Sequence, residues 1–213
     1  MNLGPVPLPT VRTDRFVAFS HVVSTRQGLY IVNETRCEQL ADGAYFGLSL
    51  RAGVLYAFER GPTVTDESAQ GRLLQLQLSA TRDQVLDVTP VVSNLDGGCH
   101  QIDFIGGRLH VVDTRRQRLL AFDAEWADCR QLSPCPLVGH RQEHGGHYVH
   151  MNAIVARGND IWVMLHNNRQ APSEIIRVDE QMNLLQRVAL PHTGCHDIVP
   201  MEDGDLLYCG SDD

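Results

Sequence analysis

The stretch VHMNAIVARGNDIWVMLHN, at Val149–Asn167, contains a histidine, an apolar segment, a glycine turn and a second apolar segment. Similar stretches lie about fifty residues to either side, GCHQIDFIGGRLHVVDT at Gly98–Thr114 and GCHDIVPMEDGDLLYCGSDD at Gly194–Asp213. A β-rich repeat of this length is typical of propeller blades, because one small sheet cannot bury both of its faces and must stack on its neighbours. The repeat therefore predicts an all-β protein with a β-propeller fold.

The rest of the chain fits the same pattern of four short apolar segments per unit, separated by glycine-containing turns. No segment has sustained helical spacing, and roughly seventeen strands are predicted. This number suits four to five four-stranded blades within a single domain over residues 1–213. Both ends of the chain contain a segment of the second-strand type, so the closing blade is irregular or leaves an edge exposed. An open strand edge pairs readily with another chain, which makes a homodimer one expected assembly.

The composition excludes several functions. A formal net charge of −8 argues against nucleic acid as a partner. All 18 basic residues are arginines, which excludes Schiff-base and lysine general-base chemistry. The start of the sequence lacks the features of a signal peptide, and no apolar run is long enough to cross a membrane. The six cysteines form neither a CxxC pair nor a dense framework, which favours a reduced, cytoplasmic setting.

Three histidines occupy the same place in the three units: His100, His150 and His196. In a propeller the first strand of each blade lines the central channel, so these imidazoles are expected to meet near the channel mouth. Three histidines with one open position are a common catalytic metal site. The pattern therefore predicts a divalent transition metal (zinc, iron, copper or nickel) bound by these residues. Repeat ancestry, which would copy a structural histidine into each unit, is the alternative explanation.

Other residues are predicted near the same site. The histidine-rich segment before His150 contains His147, a candidate for catalysis or for a fourth ligand, and His166 at the end of a second strand is the other catalytic candidate. Asn152 shares a strand face with His150, because side chains alternate along a strand. Asn152, Arg115 and Tyr45 are the predicted substrate-binding residues.

The segments HMNAI, SEIIRVD and HDIVPMEDGDLL resemble parts of the bacterial arylsulfotransferase-type propellers, and the placement of histidines is similar to that of three-histidine propeller lyases. The resemblance covers residues 98–213. It implies a propeller enzyme whose histidines act at the inner ends of the blades. In the arylsulfotransferases an arginine follows the HxN strand, whereas His166 occupies that place here.

The leading hypothesis from the sequence is a propeller that binds a divalent transition metal and acts on a small polar substrate as a lyase or hydrolase. No GxSxG, Walker or dinucleotide motif is present. A noncatalytic scaffold for protein–protein interaction and a metal-free, histidine-dependent transferase are the alternatives, since a propeller fold does not define one function.

Overall fold

The computed structural model describes residues 7–16, 19, 21–60, 70–134, 149–157 and 160–211. This part of the chain is built from β-strands and turns, with one 3-10 turn at Asn167–Arg169 and no α-helix. The prediction of an all-β protein is confirmed. The chain divides into two compact units, Met1–Gly98 and Cys99–Asp213. The prediction of a single domain over residues 1–213 stays a prediction.

The first unit contains two antiparallel sheets, one of three strands in the order β1-β2-β3 and one of four strands in the order β4-β5-β6-β7. The strands are β1 His21–Ser24, β2 Gly28–Val32, β3 Cys37–Asp42, β4 Tyr45–Arg51, β5 Val54–Glu59, β6 Gln70–Leu78 and β7 Val85–Asp96. Leucines and other apolar residues from both sheets form one buried cluster, which includes Leu29, Leu40, Leu55 and Leu74. Burial of these side chains provides the driving force for the packing of the two sheets.

The second unit contains three antiparallel sheets, two of four strands and one of two. The strand orders are β8-β9-β10-β11, β12-β13-β14-β15 and β16-β17. The strands are β8 Ile102–Ile105, β9 Arg108–Asp113, β10 Arg118–Phe122, β11 Cys129–Leu132, β12 Met151–Arg157, β13 Asp160–Leu165, β14 Glu174–Val178, β15 Leu184–Ala189, β16 His196–Pro200 and β17 Leu206–Cys209. Consecutive strands are paired within each sheet, as the predicted repeat requires.

The middle sheet of the second unit packs on both neighbours. Alternate side chains of β13 point to opposite faces, as the period of a strand requires. Val163 belongs to the buried cluster shared with the β8–β11 sheet, and Met164 belongs to the cluster shared with β16. The apolar segment that ends at His166 is therefore buried on both sides, which fixes where its last residues lie.

Two glutamines next to strands of the β8–β11 sheet, one before β8 and one before β10, contact the edge strand β12 and the residue Val149 that precedes it. The Ile154 N–H donates to Oε1 of Gln101 at 2.7 Å, and the Val149 N–H donates to Oε1 of Gln117 at 2.7 Å. An edge strand leaves alternate backbone N–H groups without a partner in its own sheet, and a buried N–H requires one. The two side chains satisfy these groups and align the start of β12 with the neighbouring sheet.

Candidate functional site

Four histidines of the second unit form a continuous row of ring contacts. His100 precedes β8, His150 precedes β12, His166 follows β13, and His196 begins β16. Ring centroids are 5.3 Å apart for His100 and His150, 4.5 Å for His150 and His166, and 4.9 Å for His166 and His196. The fold thus brings together the three histidines of the repeat and places His166 between two of them. We call these four residues the histidine row.

Backbone contacts fix the middle of the row. The His166 N–H donates to the carbonyl of His150 at 3.2 Å, and the Asn167 N–H donates to the carbonyl of Val149 at 2.8 Å. These bonds continue the pairing of β12 with β13 beyond the strand ends. His150 itself has a left-handed backbone, with φ of 50°. Such a conformation is unfavourable for a residue with a Cβ and persists only where the surroundings enforce it.

The segment after His166 is also left-handed. Asn167, Asn168 and Arg169 have φ of 55°, 49° and 60°. The backbone at these positions turns back toward Gly194, the first residue of the third repeat. A Cβ placed on Gly194 would lie 3.0 Å from Nε of Arg169 and 3.5 Å from Nε2 of His166, and Gly194 has φ of 63°. Glycine at this position therefore allows both the left-handed turn and the close packing of the arginine and the imidazole.

The two end histidines of the row are oriented through Nδ1. Oγ1 of Thr114 lies 2.7 Å from Nδ1 of His100, and Thr114 is buried. Nδ2 of Asn152 lies 3.0 Å from Nδ1 of His196 and 3.0 Å from the carbonyl oxygen of Cys195. Both contacts fix the plane of an imidazole ring, as is common for histidines with a defined chemical role.

The electrostatics favour neutral imidazoles. Burial, with smaller contributions from His196 and the Arg169 guanidinium, lowers the pKa of His166 to about 4. Burial also lowers the pKa of His196, while Asp197 opposes this shift and Arg169 adds to it. Both groups are hence neutral at physiological pH, and each can present one N–H donor and one nitrogen lone pair.

Buried polar atoms of His166 and Asn152 have no hydrogen-bond partner among the described residues. These atoms are Nδ1 of His166 and Oδ1 of Asn152. The two residues are 7% and 4% exposed. Buried polar atoms of native proteins are nearly always paired, so such atoms mark places where a bound group completes the site.

The other predicted site residues are placed differently. Arg115 is half-buried in the turn between β9 and β10, directly after Thr114. Tyr45 belongs to the first unit, where it is buried and its hydroxyl donates to the carbonyl of Asp42 at 2.9 Å. His147 lies outside the described residues. The substrate-binding roles of Arg115 and Tyr45 and the catalytic role of His147 stay predictions.

The metal site at His100, His150 and His196 stays a prediction. Within the described ranges no three His, Cys, Asp or Glu side chains are grouped so as to hold an ion. The rings of His150 and His166 are stacked with 29° between their planes. The lone pairs of an imidazole lie in the plane of the ring, so these two stacked rings do not aim their nitrogens at a common centre between them. His166 is not one of the three predicted ligands, and the rings of His100 and His150 meet at 69°. The fold brings the four histidines into successive ring contact.

Sequence reasoning missed the residues that orient the row. Thr114 ends the first copy of the repeat, and Arg169 follows the HNN segment of the second. Gln117 is fully buried in the turn before β10. A polar residue at a strand end carries no signal of its own in a single sequence, because only the packing of the sheets reveals which histidine or backbone group it meets.

No protein family and no curated protein matches the sequence. Solved structures do match the fold. Virginiamycin B lyase from Staphylococcus aureus superimposes with a TM-score of 0.58 and 11% identity over 87% of this chain and 57% of that chain. The calcium-binding protein regucalcin from Agrobacterium tumefaciens has a TM-score of 0.57 and 14% identity over 87% of this chain and 62% of that chain.

A puromycin hydrolase matches with a TM-score of 0.50 and 15% identity over 79% of this chain and 27% of that chain. These neighbours are propeller-like proteins, so the fold resembles that of propeller enzymes. The present chain spans about half to three-fifths of the length of the virginiamycin lyase structures that it matches. The resemblance to arylsulfotransferases stays a prediction.

Proposed function

We propose that the histidine row is the active site of a lyase or hydrolase that acts on a small polar substrate through neutral imidazoles. The observation that carries this proposal is His166, a 7% exposed imidazole in ring contact with two other histidines, whose Nδ1 has no partner among the described residues. A histidine that served only for packing would be expected to use its buried nitrogen in a hydrogen bond.

The chemistry proposed is general acid–base catalysis. A neutral imidazole accepts a proton at one nitrogen and donates one from the other, and two such rings in contact can do both in one reaction. In a hydrolase the base removes a proton from water and the acid protonates the leaving group. In a lyase the base removes a proton from a substrate carbon while the acid protonates the leaving oxygen or nitrogen.

The names of two structural neighbours suggest compounds for an activity assay. The inactive form of the S. aureus virginiamycin B lyase carries a single histidine-to-alanine change and was solved with quinupristin, and another neighbour is named for hydrolysis of puromycin. We therefore propose quinupristin, puromycin and the ester p-nitrophenyl acetate as probes. The three compounds cover lyase, amide hydrolase and esterase activity.

The experiment compares the wild-type protein with His166→Ala and His21→Ala. His21 is exposed at the start of β1, in the first unit, so its replacement is a matched control. We expect His166→Ala to reduce turnover of the accepted probe by about 10²-fold or more, as for loss of a general acid or base, and His21→Ala to leave turnover unchanged. Equal rates for all three proteins, or no turnover of any probe by the wild type, would contradict the proposal and favour a noncatalytic scaffold.

Metal binding is the second candidate. It is supported by the calcium-binding neighbour. No group of three His, Cys, Asp or Glu side chains within the described ranges is placed to hold an ion, and His147 lies outside those ranges. Elemental analysis of the purified protein tests it directly. A stoichiometric divalent metal that is lost in His150→Ala would support this candidate, and a metal-free, active protein would exclude it.

For the chain as a whole we propose a propeller of four to five blades in the cytoplasm. The five described sheets, four of them with three or four strands, support this number of blades. Among the described residues no helix is long and apolar enough to cross a membrane.

A further inference from the structure

Asn152 stands between two residues of the third repeat. It lies on β12 with 4% of its surface exposed, and it faces Cys195 and His196 at the start of β16. Its Nδ2 is 3.0 Å from the carbonyl oxygen of Cys195 and 3.0 Å from Nδ1 of His196. The amide nitrogen of Asn152 therefore contacts the backbone of Cys195 and the side chain of His196.

The Cys195 carbonyl determines which way the amide points. A carbonyl oxygen only accepts hydrogen bonds, so the Asn152 atom beside it must be the NH₂ group. The opposite orientation would place two acceptor oxygens 3.0 Å apart in a buried setting and would lose a hydrogen bond. Cys195 is fully buried, and its own N–H donates to Oγ of Ser173 at 3.0 Å, which keeps this carbonyl in place.

The orientation of the amide determines the tautomer of His196. Because the Asn152 NH₂ group donates to Nδ1, that nitrogen must carry a lone pair. In a neutral imidazole the single proton is then on Nε2. An imidazole whose Nδ1 accepts a hydrogen bond cannot carry protons on both nitrogens, so this contact itself makes His196 neutral.

We infer that Asn152 is a positioning residue that holds His196 as the Nε2–H tautomer, so that His196 donates a hydrogen bond to an acceptor oxygen of the substrate. The assignment of the tautomer stands by itself, whereas the role toward substrate rests on the proposed function. A carbonyl or leaving-group oxygen is the kind of substrate atom that fits such a donor. His196 is thereby the general acid of the proposed reaction.

The same tautomer opposes metal binding by His196. Coordination through Nε2 needs a lone pair on that nitrogen and an N–H at Nδ1, and metal-bound imidazoles usually donate that N–H to an acceptor. The partner here is itself a donor. The inferred tautomer of His196 thus disfavours the metal-ligand role that the sequence predicts for this residue.

The test is long-range ¹H–¹⁵N NMR of the imidazole nitrogens in the substrate-free, full-length protein. We expect the His196 signals of the wild type to show a protonated Nε2 and an unprotonated Nδ1. Asn152→Asp replaces the donor by an acceptor, so we expect the pattern to invert, with the proton on Nδ1. Asn33→Asp, the same change in the turn after β2, is the control: Oδ1 of Asn33 accepts from the N–H groups of Thr35 and Arg36, as a carboxylate also does.

Several outcomes would overturn the inference: a wild-type His196 protonated at Nδ1, an unchanged pattern in Asn152→Asp, or a shift of the wild-type Nε2 signal to a metal-bound position on addition of Zn²⁺. If Asn152→Asp does not fold, Asn152→Ala serves instead, and we expect it to give a mixture of both tautomers. None of these measurements requires turnover. If His196 is the Nε2–H tautomer but the wild type turns over none of the probes, the proposed function is contradicted and the role of Asn152 in fixing the tautomer still holds.

Discussion

At the scale of single residues, the site depends on side chains that hold an imidazole in one orientation and one protonation state. Thr114 and Asn152 each contact Nδ1 of an end histidine, while burial keeps His166 neutral. Imidazole is useful at neutral pH because small changes in surroundings decide whether it is charged. The environment of His166 and His196 favours the neutral form of both rings.

The first prediction concerns the pH dependence of stability. His166 has a folded pKa of about 4, below the ordinary value of 6.5, so the unfolded chain binds this proton more readily between these two values. The contribution of neutral His166 is complete above about pH 6.5 and is lost as the pH falls toward 4. The loss is on the order of 3 kcal/mol in the free energy of unfolding.

Urea unfolding at a series of pH values between these limits measures this loss. We expect His166→Gln to lose less stability on acidification than the wild type, and the exposed-site variant His21→Gln to behave as the wild type. Parallel pH profiles for the wild type and His166→Gln would show that His166 is not the buried, neutral group described above.

The second prediction concerns Gly194. Alanine at this position would meet Nε of Arg169 at 3.0 Å and would also adopt a φ of 63°. Gly106 has a similar φ of 55°, but a Cβ there has nothing within 4 Å. We expect Gly106→Ala to cost about 1 kcal/mol of stability from backbone strain alone, and Gly194→Ala to cost more and to shift the NMR signals of His166. Equal costs and an unmoved His166 signal would refute the close packing.

At the scale of elements, neighbouring sheets of the second unit are joined by side chains that satisfy backbone groups of the next sheet. Gln101 and Gln117 accept from N–H groups at β12, and Asn152 donates to the carbonyl before β16. These side chains thus hold the outer edge of β12 and the residues just before β12 and β16. This device places the histidines at the strand starts within reach of one another.

The third prediction follows from this arrangement. Gln101→Met keeps the length of the side chain but removes the acceptor for the Ile154 N–H, and Ile154 is fully buried. We expect a loss of about 1–3 kcal/mol in the free energy of unfolding, the cost of an unsatisfied buried group. Gln181→Met, at an exposed turn position, is the control and is expected to have little effect. Thermal unfolding of the three proteins distinguishes the two results, and an equal melting temperature for both variants would contradict the role of Gln101.

At the scale of the whole molecule, the two-stranded sheet has an exposed apolar surface. Val199 and Leu207 are cross-strand partners and are 49% and 58% exposed. Among the described strands β17 pairs only with β16, and an unpaired strand edge beside apolar side chains favours pairing with another chain. The homodimer through an open edge stays a prediction, and we place it at β17.

We therefore expect sedimentation velocity to detect self-association of the wild type that Leu207→Glu weakens. The control is Leu86→Glu, a change at a residue of the first unit with 59% exposure. A wild type that remains monomeric at all concentrations tested, or an equal effect of the two variants, would exclude this interface.

The sequence predicted the architecture well because strand periodicity and a repeat are local signals. The all-β class, the four-segment units and the equivalent positions of His100, His150 and His196 could all be read from it. The arrangement of the imidazoles could not. Which rings contact one another depends on their rotations and on Thr114, Asn152 and Gly194, whose contacts arise only when the sheets stack.

What the sequence alone determined is that the chain forms small antiparallel sheets with a histidine at the start of several of them, because alternation and turn residues act within a few positions. Only the tertiary structure shows that His166 lies in the row and that burial favours its neutral form. It also shows that Asn152 orients His196. These properties depend on atoms from distant segments meeting in a buried place, where desolvation and hydrogen-bond direction decide the state of each ring.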